Sequence, residues 1–303
     1  MMTSQPDADQ APSGIVVIDK PAGWTSHHVV AKIRRLAGTR RVGHAGTLDP
    51  MATGVLIVGI EKATRLLGYL ALSEKAYEAT IRLGIATITD DAEGEVTAGI
   101  GAAGLDEQDI ERALAALRGE ILQIPSAVSA IKINGVRSYT RVRGGEVVSL
   151  TPRPVQVSRF AAVARRAAEV GGLQVLDLDV QVECSTGTYV RALARDLGAA
   201  LGVGGHLTRL RRTRVGTFDV LEAQTLEEAG EHGLAVMTLN SVVRRCFVTQ
   251  TITEHQADWV RHGRRLPDLR LPAATSALLT KDGSFLALYR QEGADALAEA
   301  VFV

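Results

Sequence analysis

One glycine-rich loop around a single aspartate constrains this chain more than any other stretch. Residues 43–54 read Gly-His-Ala-Gly-Thr-Leu-Asp-Pro-Met-Ala-Thr-Gly, and the apolar run 55–58 follows directly. That run predicts a buried strand, the glycines allow positive φ, and Pro50 keeps Asp49 in an extended or turn conformation. A carboxylate on a loop anchored by a rigid strand suits catalysis or binding. A bare Asp-Pro turn is more simply interpreted as a solvated surface turn.

Composition is that of an ordinary globular protein. The chain has 303 residues, of which 46% are apolar and 22% charged, and this length predicts about two domains. Residues 1–13 lack the basic segment and apolar core of a signal peptide, so we expect a disordered tail. No apolar run approaches the ~20 residues of a membrane span. The widely separated Cys184 and Cys246 indicate reduced thiols and a cytoplasmic protein.

The charges are balanced overall but segregated along the chain. Lysine plus arginine number 34, as do aspartate plus glutamate. Five basic residues and no acidic one lie within 32–41, five basic residues against one glutamate within 132–153, and six arginines against one aspartate within 191–214. Such blocks can form a positive surface that binds phosphates. They can equally be ordinary solvated charges.

Hydrophobic periodicity predicts alternating helices and strands. We expect a strand over 14–18, a helix capped by Thr25 or Ser26 and ended by Gly38, a strand over 77–83, a helix over 106–118, a strand over 176–184 and a helix from about residue 190. Near the C-terminus we expect a helix over 253–266 and a hairpin whose Asp-Gly turn lies at 282–283. The segment 125–154 is polar, basic and rich in Gly and Pro, which is typical of a long functional excursion.

The string from Gly43 to Gly54 resembles the nucleophile motif of the TruB-type tRNA pseudouridine synthases, which isomerise uridine 55 of the T-loop. The resemblance implies that Asp49 is the catalytic nucleophile. It also implies an α+β fold with a mixed, largely antiparallel sheet and flanking helices, the pseudouridine synthase fold, plus a small C-terminal β-rich PUA-like domain. The expected organisation is a tail over 1–13, a catalytic domain over 14–246 with an RNA-binding insertion at about 125–154, and a PUA-like RNA-binding domain over 247–303.

Three further residues are assigned to the reaction by this resemblance. Ser185–Leu193 is similar to the family block whose arginine pairs with the nucleophile, which implies that role for Arg191. Lys75-Ala76-Tyr77 is similar to the family block whose tyrosine stacks on the flipped uracil and is a candidate for proton transfer at C5, a role implied for Tyr77. Tyr189 resembles the second pocket tyrosine. The alternatives are a surface arginine and core tyrosines.

Other residues are implied in substrate binding. Leu210 aligns with a pocket leucine, His44 with a histidine that shapes the T-loop, and Lys20 with a lysine near the cleft. The alternatives are a loop-ordering histidine and a solvated turn lysine. Asp91 also matches a family aspartate, although a plain acidic turn explains it equally well. RNA backbone contacts are expected from a set of basic residues: Arg209, Arg211, Arg212, Arg214, Lys132, Arg141 and Arg143.

The implied reaction needs neither redox chemistry nor phosphate energy, so we expect no cofactor and no metal. A carboxylate nucleophile can add to C6 of the base, attack C1′ or assist formation of a glycal, and the sequence does not choose among these. We expect a monomer that binds the T-arm stem-loop of tRNA and requires no guide RNA, protein partner or membrane. The alternatives are an RNA-binding or tRNA-folding protein without activity, a guide-RNA-dependent synthase and, least favoured, a metal-dependent hydrolase.

Overall fold

The structure, a computed structural model, describes residues 12–126, 132–133, 136–137 and 151–303, with only the backbone described at 132–133 and 136–137. The chain divides into two compact units. The first comprises Met1–Asp49, Val55–Ala71 and Gly216–Val303, and the second comprises Pro50–Gly54 and Leu72–Val215. The predicted domain boundary at residue 247 falls inside the first unit and stays a prediction.

The described residues form strands and helices with the following bounds. The strands are β1 (Gly14–Lys20), β2 (Val42–Ala45), β3 (Thr53–Ile60), β4 (Lys75–Leu83), β5 (Ile85–Thr87), β6 (Val96–Gly99), β7 (Gly119–Gln123), β8 (Lys132–Ile133), β9 (Val136–Arg137), β10 (Arg153–Val170), β11 (Leu173–Cys184), β12 (Gly205–Val215), β13 (Phe218–Asp219), β14 (Met237–Thr238), β15 (Val248–Thr251), β16 (Thr275–Leu279), β17 (Phe285–Glu292) and β18 (Asp295–Val301). The helices are α1 (Ser26–Ala37), α2 (Leu67–Ala71), α3 (Glu107–Ala116), α4 (Val190–Ala200), α5 (Leu226–His232), α6 (Leu239–Cys246) and α7 (Glu254–Arg261), with 3₁₀ turns at Glu61–Leu66 and Val220–Glu222. None of the described helices is long and apolar enough to span a membrane.

The second unit is built on an antiparallel sheet with strand order β12-β4-β11-β10-β7. Its core strands alternate as predicted, because Tyr77, Ala79, Ile81 and Leu83 of β4 are buried while the residues between them are mostly less so. Helix α4 packs on β12. The strands β5 and β6 form a separate short antiparallel pair.

One parallel pairing makes this sheet mixed. Thr53 and Gly54, the first residues of β3, pair in parallel with Arg211 and Arg212 of β12. Gly54 has a φ of 100°, and a Cβ placed there would lie 2.1 Å from the carbonyl oxygen of Arg212. Only glycine therefore permits this approach. The mixed, largely antiparallel sheet confirms the predicted fold class.

In the first unit, β14, β1 and β3 are neighbours in that order, and β2 pairs antiparallel with β3. Helix α1 begins and ends as predicted. Thr25 is its N-cap and accepts a hydrogen bond from the backbone of His28, and Gly38 closes it in the left-handed region at a φ of 66°. A serine or threonine cap and a terminal glycine satisfy backbone groups that the helix leaves free.

The C-terminal part of the first unit carries a four-stranded sheet of order β15-β16-β17-β18, in which β15 and β16 are parallel. Helix α7 contributes Ala257 and Val260 to its apolar core. The buried Tyr289 donates a hydrogen bond from its hydroxyl to the carbonyl of Arg264 at 2.7 Å. The predicted Asp-Gly hairpin is confirmed between β16 and β17, with Gly283 at a φ of 86°. The C-terminal β-rich domain is thus present.

Strand β10 is the main element without a sequence prediction. It spans Arg153–Val170 and pairs with both β11 and β7. Its second half is rich in alanine and arginine, which favour helix locally, so pairing with β11 along this half overrides the local preference. Most of the predicted insertion at 125–154 lies outside the described residues.

Candidate active site

Asp49 lies in the loop between β2 and β3. Both backbone polar groups of the preceding residue, Leu48, are hydrogen-bonded to one side chain. The buried Ser26, at the start of α1, accepts a hydrogen bond from the Leu48 N–H at 2.9 Å and donates its hydroxyl to the Leu48 carbonyl at 3.1 Å. Gly46 adopts a φ of 73° within the same loop. Asp49 itself is half-buried. The loop is therefore a fixed support for a partly accessible carboxylate.

The chain that follows Asp49 is also fixed. Pro50–Gly54 belongs to the second unit, where Thr53 and Gly54 pair with β12. The guanidinium of Arg211 donates a hydrogen bond to the Thr53 hydroxyl at 3.3 Å. These contacts restrain the backbone that continues from Asp49.

Lys20 and His44 lie in the first unit. Lys20 is fully buried, and its ammonium donates hydrogen bonds to the carbonyls of Trp24 at 2.6 Å and Pro21 at 2.9 Å. The alternative of a solvated turn lysine is therefore wrong, because the side chain closes the turn before α1. His44 is half-buried, and its ring packs edge-to-face with that of His27 at 5.6 Å between centroids. A substrate role for either residue stays a prediction.

Tyr77 and Leu210 share the buried face of the second unit's sheet. Arg212 pairs with Tyr77 and Leu210 pairs with Ala79 across β12 and β4. Because directly paired residues point to the same face, Tyr77, Leu210 and Arg212 form one side-chain cluster. Their exposed fractions are 7%, 6% and 1%. The structure thus brings together two residues that the sequence assigned to a uracil pocket.

Lys75 adds a second buried cation to this cluster, beside Arg212. Lys75 is 6% exposed and precedes Tyr77 by two residues on the same face of β4. Burial, reinforced by the charge of Arg212, lowers the pKa of Lys75 to about 8. Lys75 pairs with Cys184 of β11, whose thiol pKa burial raises to about 11. Lys75 begins the sequence block that contains Tyr77, but no local pattern predicted a role for it.

Arg191 lies in the first turn of α4 and is 5% exposed. Its Nη1 lies 3.3 Å from the carboxylate of Asp91 and donates to the Thr89 carbonyl at 2.9 Å. A cation at a helix N-terminus opposes the helix dipole, and the Asp91 carboxylate compensates for that. The predicted pairing of Arg191 with Asp49 would join the two units and stays a prediction.

Asp91 is held firmly for this contact. It is 3% exposed and accepts hydrogen bonds from the Thr89 hydroxyl at 2.5 Å and the Glu93 N–H at 3.1 Å. Asp90 precedes it at a φ of 61°, and the Asp90 carbonyl accepts from the N–H of Leu207 on β12 at 3.0 Å. Asp91 is therefore a buried member of the turn between β5 and β6, and the alternative of a plain acidic turn stays open. The Asp-Asp doublet was the signal in the sequence.

The arginines expected to contact RNA phosphates divide between the two faces of the sheet. Arg209 lies 3.9 Å from Glu78 and Arg214 lies 2.9 Å from Glu183, on the face opposite Tyr77. Arg212 lies on the Tyr77 face, where its burial leaves no surface for a phosphate. Burial argues against a phosphate contact by Arg212. The carboxylates beside Arg209 and Arg214 compete with phosphate for those side chains, and their predicted contacts stay predictions. Lys132 has only its backbone described, and Arg141 and Arg143 lie outside the described residues.

Two solved structures of multi-component complexes contain a chain that shares this fold. A Cbf5–Nop10–Gar1 complex contains a chain that is 27% identical, with a TM-score of 0.68 and coverage of 99% of this chain and 91% of the other. The structure of an H/ACA RNP bound to a substrate RNA containing 2′-deoxyuridine gives 26% identity, a TM-score of 0.67 and coverage of 99% and 92%. These matches define the fold as that of the pseudouridine synthases.

Sequence comparison is more specific. The N-terminal domain model of the TruB family pseudouridylate synthases matches residues 34–190, and the model of the tRNA pseudouridylate synthase B C-terminal domain matches residues 191–245. Proteins named tRNA pseudouridine synthase B are 53% identical in Arthrobacter sp. (strain FB24), over 96% of both chains, and 53% identical in Streptomyces griseus subsp. griseus, over 96% of this chain and 97% of the relative. The chain belongs to the TruB family of pseudouridylate synthases.

Proposed function

We propose that this protein isomerises uridine to pseudouridine at position 55 in the T-loop of tRNA, with Asp49 as the nucleophile. The observation that carries this proposal is the Asp49 loop, whose motif resembles the family's nucleophile block and whose backbone is clamped by Ser26. Relatives that are more than half identical over nearly the whole chain are named for tRNA pseudouridine synthesis, which supports tRNA as the substrate.

The reaction balances within the substrate. The N1–C1′ bond of uridine breaks, a C5–C1′ bond forms, the proton on C5 leaves, and N1 gains a proton. An ionised Asp49 supplies the electron pair for a covalent or glycal intermediate. Tyr77 is proposed to stack on the flipped base, an interaction worth on the order of 1–3 kcal/mol, and its hydroxyl is proposed to move the C5 proton. Leu210 and Tyr189 complete the pocket.

Arg191 is proposed as the positive charge that keeps the nucleophile ionised while water is excluded. Its fixed orientation supports this role, because Asp91 and the Thr89 carbonyl both hold the guanidinium. His44 and Lys20 are proposed to shape the substrate-binding loop. For Lys20 this role is structural, because its ammonium donates hydrogen bonds to the carbonyls of Pro21 and Trp24 and so orders the turn between them.

RNA binding is proposed for the insertion at about 125–154, including Lys132, Arg141 and Arg143, and for the C-terminal β-rich domain as a PUA-like module. On β12 we favour Arg211 as the candidate phosphate contact; it shares the face of Arg209 and Arg214, since it pairs with Glu78, and its guanidinium donates to the Thr53 hydroxyl. We propose a cytoplasmic monomer that needs no guide RNA and no protein partner. Because chains of similar fold occur in an H/ACA RNP and in a Cbf5–Nop10–Gar1 complex, a synthase that depends on a guide RNA and partner proteins is the specific alternative.

The test is release of tritium from tRNA labelled at C5 of uridine, without added metal or guide RNA. We expect release by the wild type, a loss of at least ~10³-fold in Asp49→Asn, and tRNA affinity within about tenfold. Substantial activity of a clean Asp49→Asn preparation would remove Asp49 as the nucleophile. Absence of release by the wild type would favour a guide-dependent enzyme or an RNA-binding protein without activity.

A further inference from the structure

Gln123, the last residue of β7, hydrogen-bonds to both backbone groups of Tyr189. Gln123 is 2% exposed, and its side-chain amide donates to the Tyr189 carbonyl at 3.1 Å and accepts from the Tyr189 N–H at 2.8 Å. A side-chain amide carries donors and an acceptor side by side. Gln123 therefore satisfies both backbone groups of one residue, as a neighbouring strand would.

Tyr189 is the residue at which α4 begins. It is the N-cap residue, and no hydrogen bond from its own side chain caps the helix. Its carbonyl also accepts the N–H of Leu193 at 3.2 Å, the first hydrogen bond of the helix. Because Gln123 holds both backbone groups, it fixes the direction in which the Tyr189 side chain leaves the chain. It likewise fixes the start of the turn that carries Arg191.

A second connection links the same two elements. Arg195, one turn along α4 from Arg191, donates to the carbonyl of Ile124 at 2.7 Å and lies 3.3 Å from the carboxylate of Asp90. Burial raises the pKa of Asp90, while the nearby Ser126 hydroxyl and Arg195 act in the opposite direction. Asp90 is bonded to Asp91, which pairs with Arg191. The end of β7, the Asp90–Asp91 turn and α4 thus form one connected network.

We propose that Gln123 is a positioning residue for pseudouridine formation, acting through Tyr189 and Arg191 without touching the substrate. Arg195 supports the same arrangement from the other side of the turn. This inference rests on the proposed function, because it assigns Gln123 to the rate of the chemical step. Without the hydrogen bonds from Gln123, Tyr189 and Arg191 would be displaced from the positions in which they act on the bound uridine. A displacement of about 1 Å can lower the rate ~10²-fold.

The decisive variant is Gln123→Glu, which keeps the shape of the side chain. Its ionised carboxylate accepts from the Tyr189 N–H but has no proton for the Tyr189 carbonyl. We expect kcat to fall roughly 10- to 100-fold while the dissociation constant for tRNA stays within about threefold. Single-turnover tritium release and filter binding measure the two quantities.

The pH dependence of kcat in Gln123→Glu is a second measurement, and it should not change if Gln123 contributes only to stability. A protonated glutamate regains the missing donor, and burial raises its pKa. We expect the ratio of variant to wild-type kcat to rise as the pH falls from about 8 to about 5.5. The charged groups of the same network are Asp90, Asp91, Arg191, Arg195 and Asp196, and the ratio removes any pH dependence that the variant and the wild type share. Gln123→Met, which can never donate this bond, should show no such recovery.

Gln108→Glu is the matched control, because it makes the same chemical change at an exposed position of α3. If circular dichroism shows that Gln123→Glu does not fold, Arg195→Met decides, since that side chain is 30% exposed. Its control is Arg112→Met on α3. We expect a loss in kcat for Arg195→Met at unchanged tRNA affinity.

Unchanged kcat in the folded variants, with an active wild type, overturns the inference. A parallel loss of tRNA affinity and kcat without acid recovery also overturns it, since Gln123 would then act only on stability or binding. An inactive wild type overturns the proposed function, and this inference falls with it.

Discussion

The two faces of the sheet formed by β4, β11 and β12 carry similar charged residues in very different surroundings. On the inner face, Lys75 and Arg212 are 6% and 1% exposed and flank Tyr77. On the outer face, the bidentate pair of Arg82 and Asp177, at 2.8 Å, is reached by solvent. The hydrogen bonds of Arg166 and Thr80 hold the pKa of the outer-face Asp179 at about 2.

The difference in burial between the two faces indicates which charged residues are candidates for function. Exposed pairs typically contribute 0–1 kcal/mol and are screened by salt. A buried charge costs several kcal/mol to desolvate, so it persists where its chemistry is needed or where partners compensate. Adjacent arginines of β12 lie on opposite faces: Arg211 pairs with Glu78 on the outer face, and Arg212 pairs with Tyr77 on the inner face. The type of residue alone therefore does not assign its role.

The largest expected difference is between two aspartate substitutions. Asp91→Asn removes the charge of a buried ion pair, in which both side chains are about 5% exposed, and leaves Arg191 with less compensation. We expect a loss of about 3 kcal/mol in the free energy of unfolding. Asp177→Asn on the outer face should cost less than about 1 kcal/mol. Urea unfolding at neutral pH measures both.

Asparagine preserves the size of aspartate, so packing is held constant in this pair of variants. Equal losses of unfolding free energy in Asp91→Asn and Asp177→Asn would contradict this prediction, because burial would then not determine how much an ion pair contributes to stability. A measurement of kcat on the same preparations sharpens it. We expect pseudouridine formation to fall in Asp91→Asn and to stay close to wild type in Asp177→Asn.

Lys75 should give a somewhat smaller effect that depends on pH. Its pKa falls from 10.5 in the unfolded chain to about 8 in the folded protein. The folded protein thus releases this proton first, and stability from this group rises with pH between those values. Relative to Lys75→Met, the wild type should gain up to about 3 kcal/mol from pH 8 to pH 10.5. Below pH 8 the difference should be constant.

The control for this titration is Lys62→Met, at an exposed position. This variant makes the same chemical change outside the buried face. Urea unfolding at a series of pH values supplies both curves. A flat curve for Lys75→Met would show that the buried face tolerates the ammonium as readily as water does.

Sequence patterns predicted the elements whose signals are local. The alternation of β4, the Thr25 cap and the Asp-Gly hairpin each depend on a few neighbouring residues, and each was confirmed. Strand β10 escaped, because its pairing with β7 and β11 depends on residues far apart in sequence. The face on which an arginine of β12 lies could not be assigned either, since register shifts interrupt its pairing with β4.

At the site, the motif predicted Asp49, and the doublet at Asp90–Asp91 left its role open. The grip of Gln123 on Tyr189 joins residues 66 positions apart, so no local pattern could indicate it. The burial of Lys75 was hidden for the same reason, because it depends on β11 and β12 covering the end of β4. Tertiary pairing, not residue type, separates these roles.

The smallest expected effect concerns the outer face and RNA. In the double variant Arg209→Gln with Arg214→Gln, we expect tRNA affinity and its salt dependence to match the wild type. Both arginines lie beside carboxylates, Glu78 and Glu183, which compete with phosphate for the guanidinium groups. The measurement is the dissociation constant for tRNA over a range of salt concentrations.

The slope of log affinity against log salt decides the outcome, because each lost phosphate contact reduces it by roughly 0.7 to 0.9. Arg141→Gln with Arg143→Gln is the matched comparison, since it removes the same two charges from the proposed RNA-binding insertion. We expect this second pair to flatten the slope by about 1.5. A flatter slope in the Arg209 and Arg214 variant would show that Glu78 and Glu183 do not keep these guanidinium groups from phosphate. A neighbouring carboxylate would then not decide which arginines of the outer face bind RNA.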